Sequence, residues 1–307
     1  MEYKVEEIIS ELILQLNDPR LGVENIYWHH NGVNNKHSFI YQNERNIYSH
    51  TKSFLSILVG ISIDKKELSL NDTLDKFFYE EIKNENNFEL AKITVSDLLN
   101  MSSGFLKSLL MHDDRKKGVG YPNYLKYIFN QKLEAKPGSK FHYSNGDCYL
   151  LGRILEKVTN RNLNDIAYER LFKKLDIPYP IWQNDFQGHP FGGSGLILNI
   201  ADMNKLGQLI LNEGKFNTEQ IVSKEYVNDL FKTKFKFNST WSNGYKNYFW
   251  INKEDEVIRA DGMYNQLTII FKKHNLAFSL QCSEISNVEK VKDILEKYLV
   301  NKLVKTN

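Results

Sequence analysis

Apolar positions along this chain follow two different periods, and the changes between them outline a fold. Residues 3 to 16 carry Val5, Ile8, Ile9, Leu12 and Leu16 at helical spacing, with Glu6, Glu7 and Glu11 between them. That spacing predicts an amphipathic surface helix. Asn25 to Gly32 and Ser38 to Gln42 predict two strands, connected through Asn34-Asn35-Lys36. The run Phe54-Leu55-Ser56-Ile57-Leu58-Val59-Gly60-Ile61 is apolar nearly all round. It predicts a helix from Thr51 to Lys66 buried in the middle of a domain. Residues 67 to about 240 lose strand character. Helices are expected there from Thr94 (as N-cap) to Met101, from Tyr124 to Asn130, from Asp147 to Val158, and from Asp202 to Asn212, the last stopped by Glu213-Gly214. The strand signal then returns over Tyr248 to Asn252, Glu256 to Ala260, Gln266 to Phe271 and Ala277 to Cys282. Val291, Ile294, Leu295, Tyr298 and Leu299 form the apolar stripe of a closing helix.

Strands at both ends and helices between them predict an α+β protein. Its antiparallel sheet is built from both chain ends and flanked by helices, with an inserted, mostly helical region. The expected division is residues 1–75 with 241–307 for the sheet and 76–240 for the helical region. The 307 residues, 41% hydrophobic and 13% aromatic, suffice for a sizeable core. Forty basic and 38 acidic residues leave a formal charge of +2, which points to neither a nucleic-acid nor a membrane partner. The cluster Lys232-Thr233-Lys234-Phe235-Lys236 is short and reads as a solvated face. Two cysteines, Cys148 and Cys282, make no disulfide framework and no C-x-x-C pattern, so no metal and no cofactor is expected. The N-terminal pattern is not that of a secretion signal, and no long apolar run is present; the expected compartment is the cytoplasm.

Candidate chemistry starts at Ser49-His50-Thr51-Lys52. A hydroxyl and an amine three residues apart share one face of a helix at its first turn. A desolvated amine beside a serine can help remove its proton. As a mere cap, Ser49 would favour Glu or Gln at position 52, and a cation in the first turn opposes the helix dipole. Ser62-Ile63-Asp64-Lys65 has the same spacing, but it runs into Lys66-Glu67 and reads as a solvated helix end. A third group is Tyr143, in Lys136-Pro137-Gly138-Ser139-Lys140-Phe141-His142-Tyr143-Ser144-Asn145-Gly146. Tyr41, Tyr121, Tyr226 and Tyr245 also begin a Y-x-N, but only Tyr143 follows a Pro-Gly turn and precedes a helix. His50, His142 and His189 offer a competing Ser-His-Asp arrangement, yet no serine lies in a G-x-S-x-G elbow.

The order of these pieces resembles the penicillin-binding-protein-like serine hydrolases, which include class C β-lactamases, D-alanyl-D-alanine carboxypeptidases and esterases. The resemblance runs from about residue 25 to 300 and adds Ile93-Thr94-Val95-Ser96-Asp97-Leu98-Leu99-Asn100-Met101-Ser102-Ser103-Gly104 and Gly192-Gly193-Ser194-Gly195-Leu196. It implies a β-lactamase/transpeptidase-like fold and a role for each matching residue. Ser49 would be the acylated nucleophile; Lys52 and Tyr143 would move its proton, either of them as formal base. Asn145 would orient the lysine or a substrate amide, and the backbone N–H groups of Ser49 and Met263 would form the oxyanion hole.

The resemblance departs at one place. Where such enzymes carry Lys-Thr-Gly or a His or Trp variant, this chain reads Arg259-Ala260-Asp261-Gly262-Met263. Gly262 is retained beside the serine region. The position of the cation is Ala260, or Asp261 if the strand is shifted by one, and Arg259 points to the face opposite Ala260. The expected activity is therefore hydrolysis of a small ester, amide or peptide, neutral or cationic, with inefficient β-lactam turnover. The alternative is a non-catalytic penicillin-sensing or protein-binding member of the same fold. Trp182, Trp241 and Trp250 are expected in the core or along a substrate cleft.

Overall fold

Antiparallel pairing between the two ends of the chain closes a single eight-stranded sheet. The computed structural model describes residues 2–304 apart from Gln42 and Thr240, with backbone alone for Glu2 and Tyr3. The strands lie in the order Val33–Ser38, Val23–His30, Leu276–Cys282, Gln266–Phe271, Val257–Gly262, Phe249–Lys253, Gly244–Lys246 and Phe235–Lys236. Ile26 stands opposite Leu280 and Ala260 opposite Thr268. The α+β class and the sheet drawn from both ends are as the hydrophobic pattern predicts.

The N-terminal hairpin differs from expectation in register. Its turn is Asn31-Gly32, with φ of 49° and 85°, not Asn34-Asn35-Lys36. A two-residue loop with both positions left-handed matches the right-handed strand twist, and Asn-Gly is the dipeptide that tolerates it. The second strand is Val33–Ser38, at the sheet edge with mostly exposed side chains, so it shows no apolar alternation. Of the expected strand Ser38 to Gln42, only Ser38 lies in a strand among the described residues, as the end of Val33–Ser38; Gln42 lies outside them. The middle region also holds short strands that its pattern did not reveal. Leu196–Asn199 pairs with Glu44–Asn46 and Ile181–Trp182 in a small second sheet.

Each face of the main sheet has its own core. On the outer face, Val5, Ile9 and Leu12 of the helix Glu2–Leu16 meet Val291, Leu295 and Leu299 near the C-terminus over Ile26, Ile269 and Leu280. On the inner face, Ile258, Ala260 and Ile270 join the core of the helical region. There the helix Thr51–Asp64 is buried from Thr51 to Ser62, between the helix Asn145–Thr159 and the strand Val257–Gly262. Its interior serines are satisfied: Ser53 donates to the Tyr248 carbonyl at 2.9 Å, and Ser56 shares a 3.0 Å hydrogen bond with the Tyr226 hydroxyl. Ser62 receives the Arg170 guanidinium, itself paired with Glu67, so the second S-x-x-K match is structural.

The helix Ile200–Leu211 lies against the sheet, with Asn204 donating to the Ala277 carbonyl at 2.9 Å. Gly207 permits that approach: a Cβ there would stand 2.7 Å from the Ala277 Cβ and 3.1 Å from the Thr268 Cγ2. Gly207→Val should therefore destabilise the protein by about 1–3 kcal/mol, as overpacking in a tight interior does. A denaturation midpoint equal to wild type would show that the helix can lift off the sheet at no cost.

Candidate active site

A tight turn delivers Ser49 to the head of the buried helix. Residues Tyr48–His50 form one 3-10 turn, entered through Tyr48 at φ 47°, and the α-helix starts at Thr51. The turn is pinned by three hydrogen bonds: Ile47 N–H to the Leu196 carbonyl, Tyr48 N–H to Asn46 Oδ1, and His50 N–H to the Ile47 carbonyl. Ser49 is no helix cap. Its hydroxyl meets Lys52 Nζ at 3.0 Å. Lys52 is 1% exposed and also donates to the Gly193 carbonyl at 2.6 Å. Burial pushes its amine down from 10.5 to about 8; the positive charge of Arg115 pushes the same way.

The second contribution comes from the Tyr-Ser-Asn stretch. Ser144 caps the helix Asn145–Thr159, its Oγ accepting from Gly146 N–H at 3.2 Å and from Leu109 N–H at 3.1 Å. The cap fixes Tyr143 on one side and Asn145 on the other. The Tyr143 ring stacks on Trp250 (centroids 6.0 Å apart, planes at 18°) and lies 5.0 Å from Lys52 Nζ. Burial raises its phenol well above 10, and a hydrogen bond with Ser49 opposes that rise. Asn145 does not hold Lys52 directly. Its Nδ2 donates to the Leu110 carbonyl at 3.0 Å, while its Oδ1 is buried without a partner among the described residues.

The third contribution is the end of the strand Val257–Gly262. A Cβ on Gly262 would lie 2.1 Å from the Ile47 carbonyl and 3.2 Å from the His50 nitrogen, so only glycine lets strand and turn touch. Met263 follows, partly exposed at 44%. Ala260 is fully buried on the inner face. Arg259 projects to the other face, 4.3 Å from the Trp241 ring, and pairs with Asp261 at 2.9 Å. Asp261 thus shares the face of Arg259, and this strand turns no cation toward the serine side.

None of the three histidines pairs with Ser49 among the described residues. His142 bonds Ser108 at 3.0 Å, and His189 contacts Glu156 at 2.7 Å in the turn it anchors. His50 is sealed in the core, its ring nitrogens unpaired and its pKa driven by burial to about 3. Of the tryptophans, Trp182 is core and donates to the Ser194 carbonyl, Trp241 covers Arg259, and Trp250 backs Tyr143. Cys148 and Cys282 are buried and unbridged.

Two contributors carried no sequence assignment. Gly193 supplies the acceptor for Lys52, and a Cβ there would stand 3.1 Å from both Asn145 Oδ1 and Cys148 Cβ. The double glycine at 192–193 is the signal that marks this close approach. Arg115 is a cation near Lys52 from an unrelated segment, and no local pattern distinguishes it from other surface arginines.

The family model described as Beta-lactamase matches residues 45–290. The chain belongs to the Beta-lactamase family, within the penicillin-binding-protein-like serine hydrolases. Protein flp of Staphylococcus aureus (strain MW2) is 25% identical over 166 residues, which is 52% of this chain and 33% of that protein. The chain thus spans about a third of the length of that relative. Two solved structures share the fold. The octameric penicillin-binding protein homologue from Pyrococcus abyssi superposes with a TM-score of 0.73 at 21% identity, over 97% of this chain and 77% of that one. EstCE1, a hydrolase with promiscuous acyltransferase activity, superposes with a TM-score of 0.71 at 12% identity, over 96% and 99%. No helix among the described residues is long and apolar enough to cross a membrane.

The buried amine has consequences for both rate and stability. A lysine must be neutral to take a proton, so kcat/KM for an uncharged ester should rise with pH through a midpoint near about 8. The folded pKa lies below the ordinary 10.5, so the charged amine costs stability below pH 8, and that cost fades as pH rises toward 10.5. Lys52→Met should therefore raise stability at pH 7 by about 1–3 kcal/mol, a gain that shrinks above pH 8. Thermal melts across that range check it; a destabilised Lys52→Met protein at pH 7 would contradict a desolvated charge.

Proposed function

We propose that this protein is a serine hydrolase that cleaves an ester or amide through a covalent acyl-enzyme on Ser49. The observation that carries this reading is the 3.0 Å contact between Ser49 Oγ and a fully buried Lys52 amine whose pKa is brought down to about 8. Burial moves Lys52 toward its neutral form and Tyr143 away from its anionic one, so the lysine is the readier base. The Gly193 carbonyl holds one N–H of the amine, which leaves the nitrogen lone pair free to face Ser49 Oγ. Lys52 takes the serine proton as Oγ bonds to the substrate carbonyl carbon. The backbone N–H groups of Ser49 and Met263 receive the developing oxyanion. The C–O or C–N bond then breaks, and the proton passes through the Tyr143 phenol to the departing alcohol or amine. Water, giving up a proton along the same route, attacks the acyl-enzyme and restores Ser49. The unpartnered Oδ1 of Asn145 is an acceptor for a substrate N–H.

This chemistry is closer to an esterase or amidase than to a β-lactamase. A penicillin brings a ring carboxylate to the strand that ends in Gly262, where Ala260 offers no charge and Arg259 faces away. The activity named for EstCE1, on the same fold, supports an acyl-transfer reading. A penicillin-sensing member would need the same lysine-activated serine to become acylated and would differ in keeping the adduct, whereas a purely protein-binding member would need no such lysine.

A chromogenic short-chain ester tests the proposal. Ser49→Ala should abolish turnover and the acyl adduct seen by mass spectrometry, whereas Tyr143→Phe should slow acylation by a factor of order 10². Turnover retained in Ser49→Ala would remove the nucleophile, and a stable adduct without turnover would favour the sensing role. Benzylpenicillin should be hydrolysed at least about 100-fold less efficiently than the ester, as expected when its ring carboxylate is held against a strand that turns no cation toward it; comparable rates would overturn the specificity argument.

A further inference from the structure

Beside the serine lies a cavity of about 540 Å³, a size suited to a small ligand. Tyr48 and Ser194 line it, and these are the chain neighbours of Ser49 and of the Gly193 that holds Lys52. Its wall also includes His112, Arg115 and Lys116, and no residue of the strand Val257–Gly262. Arg115 is the distinctive member. Its guanidinium carbon sits 3.8 Å from the centre of the Phe191 ring, a stacking that fixes the plane of the fork. No carboxylate pairs with it among the described residues, and its Nε is buried without an acceptor. Asp113 and Asp114, on the same helical turn, do not pair with it. The one carboxylate in the lining, Glu284, accepts instead from the Tyr48 hydroxyl.

A second cavity shows what arginines do when they are structural. It has about 600 Å³ and adjoins Asp64 at the far end of the serine helix. Both arginines there and one lysine have partners: Arg161 with Glu169 at 2.5 Å, Arg170 with Glu67 at 2.6 Å, and Lys174 with Glu219. A half-buried guanidinium, desolvated, stacked and left without an anion beside a nucleophile, is instead a site waiting for one.

We propose that Arg115, stacked on Phe191, is the receptor for a carboxylate carried by the substrate, so that the preferred substrate is an anionic ester or amide. This rests on Ser49 as the nucleophile, and it revises the neutral-or-cationic preference expected from Ala260 and Asp261 alone. The cation missing from the strand is supplied by the helix His112–Lys116, on a different wall of the site. The carboxylate belongs either to the acyl part or to the leaving group of the substrate, a few bonds from the scissile carbonyl. Arg115 is then a specificity-determining residue that touches substrate and takes no part in bond breaking.

Two pairs of esters separate these sources. One pair is 4-nitrophenyl hydrogen glutarate against 4-nitrophenyl valerate, with the charge on the acyl part. The other is 3-carboxyphenyl acetate against phenyl acetate, with the charge on the leaving group. In one of the two pairs, wild type should prefer the anionic member, and Arg115→Gln should reduce that preference by about 10–100-fold, with Arg115→Lys in between. Comparing ratios within one protein removes any general effect of the substitution on folding or on Lys52. Independently of turnover, calorimetry should show glutarate binding to Ser49→Ala and weakening at least about tenfold when Arg115→Gln is added. If wild type hydrolyses neither member of either pair, the serine reading falls and the glutarate titration alone decides about Arg115. Preferences unchanged in both pairs, or glutarate binding that is absent or indifferent to Arg115, would overturn the proposal.

Discussion

An amine taken out of water is the constraint around which this structure is arranged. Lys52 opens a helix that is buried for most of its length, so its charge lacks the solvent that would stabilise it. Two acceptors within 3.0 Å replace part of that solvent, Ser49 Oγ and the Gly193 carbonyl. Meeting them imposes demands elsewhere. The loop at Gly192-Gly193 must come close enough to contact Cys148, which excludes side chains there. The strand ending in Gly262 must touch the turn before Ser49, which excludes one there as well. Tyr143 must stand beside lysine and serine, and Trp250 stacks against its ring. The glycines, the capped helix and the stacked ring are parts of one solution to a single unfavourable burial.

The readability of the chain followed the length scale of each feature. Long periodic segments were legible: the helix behind Ser49, the strand Gln266–Phe271 and the closing apolar stripe lie where their spacing puts them. The edge strand Val33–Ser38 was not, because a strand with one free edge and exposed side chains need not alternate. Its turn was nonetheless written in Asn31-Gly32, a stronger hairpin signal than the Asn-rich stretch that follows it. Of the candidate site, Ser49 and Lys52 were marked by their three-residue spacing and Tyr143 by the Pro-Gly turn before it and the helix after it, while Asn145 was named through the family resemblance. Arg115 was not. Its importance lies in the pairing it lacks, and a missing partner is a property of three-dimensional neighbours.

The Arg259-Ala260-Asp261 segment shows how alternation decides chemistry. One residue of register separates a charge buried under Trp241 from one that would face the serine. Arg259 is spent on Asp261, Asn252, Ser242 and the Trp241 carbonyl, a network that ties the strand to the outer core. The cation on this strand therefore serves architecture, whereas Arg115, from a short helix on another wall, has no carboxylate partner among the described residues. On the proposed reading, fold and substrate choice are separable: the scaffold that holds Ser49 does not itself fix where a positive charge meets the substrate.

The pairing of Val23–His30 with Leu276–Cys282 bears on how the protein is made. During synthesis the serine helix emerges early, while the strand that closes against its turn is among the last segments produced. Until then an all-round apolar helix has no sheet to cover it, a liability for aggregation and a ready target for chaperones. On the proposed mechanism, a chain that lacks the strand ending in Gly262 has not closed the turn that carries Ser49, and its site is incomplete.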